Sequence, residues 1–441
     1  MKIALVLLSE FIANQPTTIF SSIGRKGAYT PTTLLTLASL IPDELNAEVA
    51  IFDEFIANFD PHTIDVDLVG LSFTTCNAPY AYKTAKILKD RGITVVFGGY
   101  HATALPEEAS QYADACVLGF AEKSWPKLLH DFAKGKLQKI YQEDYIEDFI
   151  KLKIDRYDLT NNKKYFFPYT IEFSRSCVNN CEFCVIPHFG GKKMHYRSVD
   201  SIIEDIKRRN IKEIVFLDSS PVEDVKKFTE LCHALKELNI SWFSNITFKL
   251  ADNHELIKLM AESGCRGILM GFESINQQSL DAAGKKFNTP QKYKEFIKLL
   301  HQHKILVYAT IVFGLENDDK SIFKQTVDFV SECNIDIVHY AILTPFPGSI
   351  LYDKLKSENR ITEKDWSKYD SLHVNFVPKN MSARELQEGY NYAHRKTHSL
   401  YSIIKRTLMS PARSWKIFLG NMALGVYGDR IIKNINKELN P

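Results

Sequence analysis

Three cysteines carry the strongest chemical signal in this 441-residue sequence. They lie in Ser174-Arg175-Ser176-Cys177-Val178-Asn179-Asn180-Cys181-Glu182-Phe183-Cys184, a C-x3-C-x2-C pattern. Cysteine thiolates are the usual ligands of iron–sulfur clusters, and a cubane takes four. Three protein ligands leave one iron with an open coordination position, the condition that separates catalytic from structural metal sites. Two other chemistries compete. A structural zinc could recruit His188 as fourth ligand, although four donors so close in sequence strain a tetrahedron. An electron-transfer cluster would want a fourth cysteine, and Cys232 and Cys265 fall in helical or turn contexts away from this loop. The remaining cysteines are scattered, so the cluster of three reads as metal or redox chemistry in a reducing compartment and not as a disulfide framework.

Such a loop needs a scaffold, and the residues around it supply one. Apolar runs at 169–173, 213–218, 241–246, 267–272, 306–313 and 337–343 read as buried strands. Helical patterns at 199–209, 222–238, 254–263, 291–303 and 321–332 separate them, and Gly264 stands where a helix C-terminal cap belongs. Six such units predict a partial (β/α)6 barrel over residues 167–350, with its site at the C-terminal strand ends. The cysteine run follows the first of those strands.

A second alternating series precedes it. Runs at 3–8, 49–52, 68–73, 94–97 and 115–118, with a helical stretch at 80–89, predict a Rossmann-like doubly wound parallel sheet over residues 1–142. Ligands on such sheets sit beyond the carboxyl ends of the strands. The loops to watch are therefore Asp53-Glu54, Ser72–Asn77, Gly98–Thr103 and Gly119–Glu122. No G-x-G-x-x-G follows the first strand, where only Gly24 and Gly27 are near, and no P-loop is present. Residues 143–166 read as a polar, tyrosine-rich linker, and 351–441 as a helical, basic extension. The fold class is thus α/β, with two alternating domains and a helical tail.

The pattern C-x3-C-x-aromatic-C, with Phe183 at the aromatic position, resembles the radical S-adenosylmethionine (SAM) superfamily. That resemblance implies a [4Fe-4S] cluster on Cys177, Cys181 and Cys184. SAM would chelate the open iron and be cleaved by one electron to a 5′-deoxyadenosyl radical. It further implies SAM contacts at Phe183, at Asp218 in Phe216-Leu217-Asp218-Ser219-Ser220, and at Glu273 and Ser274 in Gly271-Phe272-Glu273-Ser274. Val312, in Ile311-Val312-Phe313-Gly314-Leu315-Glu316, falls where the family cradles adenine, with Ala309 and Gly314 departing from the G-x-I-x-G-x-x-E pattern.

The N-terminal half resembles the cobalamin-binding domain of one radical SAM subfamily. This rests on Pro31–Leu35, Ile51–Glu54, Val69–Phe73, Val96–His101 and Val117–Glu122. It implies cobalamin contacts at Asp53, Ser72, Thr75, Gly98, Gly99, His101, Gly119 and Glu122; the glycines let a bulky corrin approach backbone. The D-x-H-x-x-G motif is missing; the resemblance implies a subfamily whose members often lack it and bind cobalamin with no protein histidine on cobalt, to which His101 would be the exception. In the tail, Thr344–Gly348, Arg360-Ile361, Asp365-Trp366 and Val377-Pro378 resemble the extension of a branch that includes hopanoid and bacteriochlorophyll methylases. The implied activity is methylation of an unactivated carbon on a small, lipophilic or polycyclic substrate, with a flavodoxin- or ferredoxin-type reductant. Ring closure without methyl transfer is the near alternative, and a non-enzymatic cobalamin or metal sensor the distant one.

Lysine plus arginine is 55 against 53 acids, a net charge of +2, so nothing general draws the chain to nucleic acid. The opening Met1–Glu10 reads as a first strand and not a secretory signal, since its apolar stretch is short and lacks a small-residue cleavage site. A cytoplasmic location is the expectation. The basic, apolar stretch Tyr401–Lys416 reads as a helix packed on the barrel, with contact to a membrane surface as the alternative.

Overall fold

The computed structural model describes residues 1–9, 27–56, 59–143, 154, 156–412 and 414–439. Part of the expected linker, 144–153 and 155, lies outside them, as do Gly24 and Arg413.

The N-terminal sheet has six parallel strands: β1 (Lys2–Leu7), β2 (Glu48–Asp53), β3 (Leu68–Ser72), β4 (Thr94–Gly98), β5 (Ala115–Leu118) and β6 (Ile140–Gln142). Their order is β2-β1-β3-β4-β5-β6. The order reverses between β1 and β3, so the chain crosses to opposite faces there and leaves a crevice at the strand ends. Helix α1 (Thr32–Ser39) and helix α3 (Ser124–Ala133) share a core with one face of the sheet; α2 (Ala78–Asp90) packs on the other. The central strands are buried on both faces, which is why they read as unbroken apolar runs. Strand β6 was not foreseen: its three residues, Ile-Tyr-Gln, are too short to show a period.

The second sheet is also parallel: β7 (Thr170–Ile171), β8 (Glu213–Phe216), β9 (Ser241–Asn245), β10 (Cys265–Glu273), β11 (Leu306–Phe313) and β12 (Ile337–Ile342), in sequential order. Helices α4 (Val199–Arg208), α5 (Val225–Lys236), α6 (His254–Glu262), α7 (Pro290–Gln302) and α8 (Ser321–Cys333) alternate with them. The first and last strands do not pair, so this is the open six-stranded barrel that the alternation predicts. The helical pattern at 222–238 breaks into a turn at Pro221–Glu223 and a helix from Val225, because the Asp224 side chain accepts the Lys227 N–H as an N-cap. Gly264 does end α6, at φ +99°, pressed against the Ile240 carbonyl.

The tail forms α9 (Ala383–Thr397), α10 (Leu400–Met409) and α11 (Trp415–Leu439). Helix α9 starts with a capping box from Ser382 and Glu385. It packs on α8 and, with α11, covers the free edge of β12. Among the described residues, no helix is long and apolar enough to cross a membrane.

Candidate cofactor sites at the domain interface

The cysteine loop leaves the sheet through Ser174–Arg175, which pair antiparallel with His195–Tyr196. Distant backbone then fixes it. Glu182 N–H donates to the Ala283 carbonyl at 3.0 Å, and the Glu182 carbonyl accepts from Leu351 N–H at 2.7 Å. Gly284, at φ +73°, lies against Asn180; a Cβ there would come within 2.6 Å of the Asn180 carbonyl oxygen. Ser176, itself at φ +72°, donates its hydroxyl to the Gly190 carbonyl at 2.6 Å. Asn179 links the Cys177 sulfur (3.3 Å) to Glu223 (2.9 Å).

All three thiols are free and only partly exposed. Burial pushes Cys181 up to about 12 and raises Cys184. Thiols in such surroundings become thiolates when a cation such as iron arrives to hold them. Among the described residues, no three His, Cys, Asp or Glu side chains gather as they would on a single ion. The His188 ring instead lies against Gly348. A set of three thiols suits three corners of an iron–sulfur cubane.

Beside the loop, β10 ends in Glu273, a non-glycine residue at φ +60°. Its buried carboxylate folds back over Gly271, where any Cβ would collide with it, and pairs with Lys285. The charges of both reach the Cys181 thiol, which after burial is lowered by Lys285 and raised by Glu273.

A cavity of about 340 Å³ runs from this loop into the N-terminal sheet. On the barrel side its wall is Ser174, Arg175, Ser176 and Gly190; on the other it is the strand ends Ser72, Gly98, Gly99 and Gly119. A Cβ on Gly98 or Gly119 would meet nothing closer than 3.8 or 3.5 Å, so these glycines leave open wall. The deep end reaches Gly70, Trp125 and Thr36, between the sheet and α1 and α3. There the Thr36 hydroxyl is buried with no hydrogen-bond partner, a group that a polar ligand would satisfy. Across the mouth, Glu122 pairs with Arg175, whose guanidinium also holds Glu172 at 2.6 Å and lies 5.1 Å from the Phe120 ring centre.

Residues 171–330 match the radical SAM superfamily, and residues 39–129 match the B12 binding domain. This chain is a B12-binding radical SAM enzyme. It is 29% identical over 422 residues to the bacteriochlorophyllide d C-12(1)-methyltransferase of Chlorobaculum tepidum, covering 93% of this chain and 91% of that one. It is 26% identical to the anaerobic magnesium-protoporphyrin IX monomethyl ester cyclase of Rubrivivax gelatinosus, over 76% of this chain and 66% of the cyclase. Its fold matches the radical SAM methyltransferase TsrM of Kitasatospora setae, solved with cobalamin and a [4Fe-4S] cluster, at TM-score 0.69 and 14% identity. The match covers 98% of this chain and 99% of TsrM. The enzyme thus joins a B12-binding domain to a radical SAM domain, and these imply a cobalamin and a [4Fe-4S] cluster with SAM.

Within the radical SAM enzyme the expected residues separate into groups. Ser72, Gly98, Gly99, Gly119 and Glu122 line the interdomain cavity; Asp53, Thr75 and His101 are not among its walls. The Asp53 carboxylate accepts from the Tyr165 hydroxyl at 2.8 Å and from Phe55 N–H at 3.0 Å. Thr75 is buried in a turn, and its neighbour Thr74 takes the wall position. His101 is fully buried, its Nε2 2.8 Å from the Tyr82 hydroxyl and its ring edge-on to Trp366.

Asp218 does stand at the end of β8, but its side chain turns inward. It accepts the backbone N–H of Phe173 and both the N–H and hydroxyl of Ser174, and burial pushes it up to about 7. It fixes the take-off of the cluster loop. The Ser274 hydroxyl accepts from Asn276 N–H at 3.0 Å within its own turn. Phe183 and Val312 are half-buried against the barrel core. Sequence reasoning missed Lys285 and Arg175. A lysine right after Gly284 was the available signal for the first; for the second, only its place two residues before Cys177.

Proposed function

We propose that this enzyme transfers a methyl group to an unactivated carbon of a lipophilic, polycyclic substrate. The observation that carries the reading is the shared cavity: the backbone leading into the cluster loop and the glycine-rich strand ends of the B12-binding domain are its two walls. Bound there, the cluster with SAM supplies one-electron cleavage of a sulfonium, and the corrinoid supplies a methyl group. The chain's own residues position and exclude. Cys177, Cys181 and Cys184 hold three irons and leave the fourth to SAM. Lys285 and Glu273, paired beside Cys181, offer a cation and an anion to SAM's carboxylate and ammonium. Phe183 and Val312 give apolar contact, and Asp218 acts as a positioning residue through Ser174. Ser72, Gly98, Gly99, Gly119 and Glu122 would hold the corrinoid, and the Thr36 hydroxyl at the deep end would offer it a polar contact.

For the substrate, a second cavity of about 630 Å³ lies between the edge of β12, helices α9 and α11, and the loop after β3. Tyr340, Tyr390, Tyr427 and Ile431 give it large apolar surfaces, and Thr74 lines both cavities. An aromatic, mostly apolar wall suits a broad ring system. A one-electron donor of the flavodoxin or ferredoxin class would drive the cluster.

Anaerobic reconstitution with hydroxocobalamin, SAM and reductant tests the reading through its products. Methyl transfer requires S-adenosylhomocysteine together with 5′-deoxyadenosine. Formation of 5′-deoxyadenosine alone points to ring closure, the reading that the likeness to the cyclase favours.

A further inference from the structure

Helix α10 holds itself to the barrel with one side and leaves the other bare. On the held side, Ile403 is buried and the fully buried Arg406 donates to the carbonyls of Thr397 (2.9 Å), Ile335 (3.2 Å) and Asp336 (3.2 Å). Lys405 reaches the Ser331 hydroxyl at 2.9 Å. At about 100° per residue, Leu400, Tyr401, Ile404 and Leu408 fall within an arc of about 100° on the opposite side. Tyr401 is 79% exposed, Leu408 63% and Leu400 58%; Met409 and Trp415, just beyond, are 60% and 65% exposed. Single exposed apolar residues are ordinary, but a contiguous group of this size marks an interaction surface.

The charge around the patch says what it meets. From residue 389 to 428 there is no aspartate or glutamate; of the six basic residues there, Arg406 is buried and Arg395 lies 3.9 Å from Asp429, which leaves Lys396, Lys405, Arg413 and Lys416. The whole chain carries only +2, so this segment is far more positive than the molecule it belongs to. Two copies pressed together through the patch would oppose like charges. An anionic lipid surface complements both features: leucine, tryptophan and tyrosine enter the headgroup boundary while lysine and arginine meet phosphate.

We infer that α10, together with Trp415, forms a monotopic docking surface for anionic membrane. Asp336, to which Arg406 is anchored, directly precedes β12, so the patch lies at the N-terminal end of the barrel strands. Docking would therefore leave both cofactor sites facing away from the bilayer. The inference is independent of the methyl-transfer reading.

The test uses the holoenzyme and vesicles of phosphatidylcholine with and without phosphatidylglycerol. The wild type should sediment with the anionic vesicles, much less with the neutral ones, and lose binding as salt rises. Tyr401→Ser/Leu408→Ser, at exposed positions that leave the fold intact, should weaken anionic-vesicle binding by roughly tenfold or more. Lys396→Glu/Lys416→Glu should weaken it and flatten its salt dependence. Trp415 emission should shift to the blue on binding, and Trp415→Phe should remove that shift. Equal partition to neutral and anionic vesicles, or none to either, would overturn the proposal. So would a concentration-dependent dimer abolished by Tyr401→Ser/Leu408→Ser, which would give the patch to a second copy.

Discussion

In the cluster loop the reactive side chains are neighbours in sequence, while the groups holding their backbone come from far away: Ala283, Gly284 and Leu351. On the corrin side the order is reversed. The wall is assembled from the ends of separate strands, and what it presents is largely backbone and missing side chains, as at Gly98, Gly99 and Gly119. The first region depends on residue type, the second on shape. Substitutions should therefore be all-or-none in the loop and graded in the wall.

Four experiments sharpen or break that contrast, beginning with the largest effect. Cys181→Ala should reduce the iron–sulfur absorbance and 5′-deoxyadenosine formation to background while corrinoid binding survives; parallel loss of corrinoid would show that the two regions are one unit. Next, Arg175→Met strips the guanidinium from two buried carboxylates, Glu122 and Glu172, and should cost about 3–5 kcal/mol in chemical denaturation. If the pair joins the domains, adding Glu122→Gln to Arg175→Met should cost less than the sum of the single changes. Third, Gly98→Val fills open wall and should weaken cobalamin by about 1–3 kcal/mol, with bound iron unchanged. Loss of iron in that variant would deny that the wall acts by shape alone.

The smallest effect is a pH dependence. Burial raises Asp218 from 3.8 to about 7. The folded state then binds more protons than the unfolded one between those values, so stability is greatest at the acid end and falls as pH rises through about 7. Asp318, raised by burial to about 6, acts in the same direction. Thermal unfolding between pH 5.5 and 8 should show the wild type losing at most about 1.4 kcal/mol per pH unit per group. Asp218→Asn should flatten the profile.

The same contrast explains what the sequence disclosed. The three cysteines were legible as a set because their spacing is local, and both sheets because buried parallel strands form unbroken apolar runs. Leu306–Phe313 is a strand over the predicted residues themselves. Positions at strand ends were legible as positions, but the direction of a side chain was not. Asp218 stands at the expected strand end and points into the Ser174 backbone; His101 follows the expected glycines and points at Tyr82 and Trp366. Neither outcome has a local cause, since both are decided by neighbours dozens of residues away. Lys285 stayed hidden for a similar reason. Its meeting with Glu273 needs the left-handed turn at Gly284 and the side-chain space left by Gly271.

One contact fixes a length. Arg175 sits two residues before Cys177 and grips Glu122, which follows the last cavity-wall glycine of the other domain. Any hinge that drew the domains apart would have to rehydrate that pair first. The separation of the two cavity walls is therefore set as by a strut, held by one guanidinium.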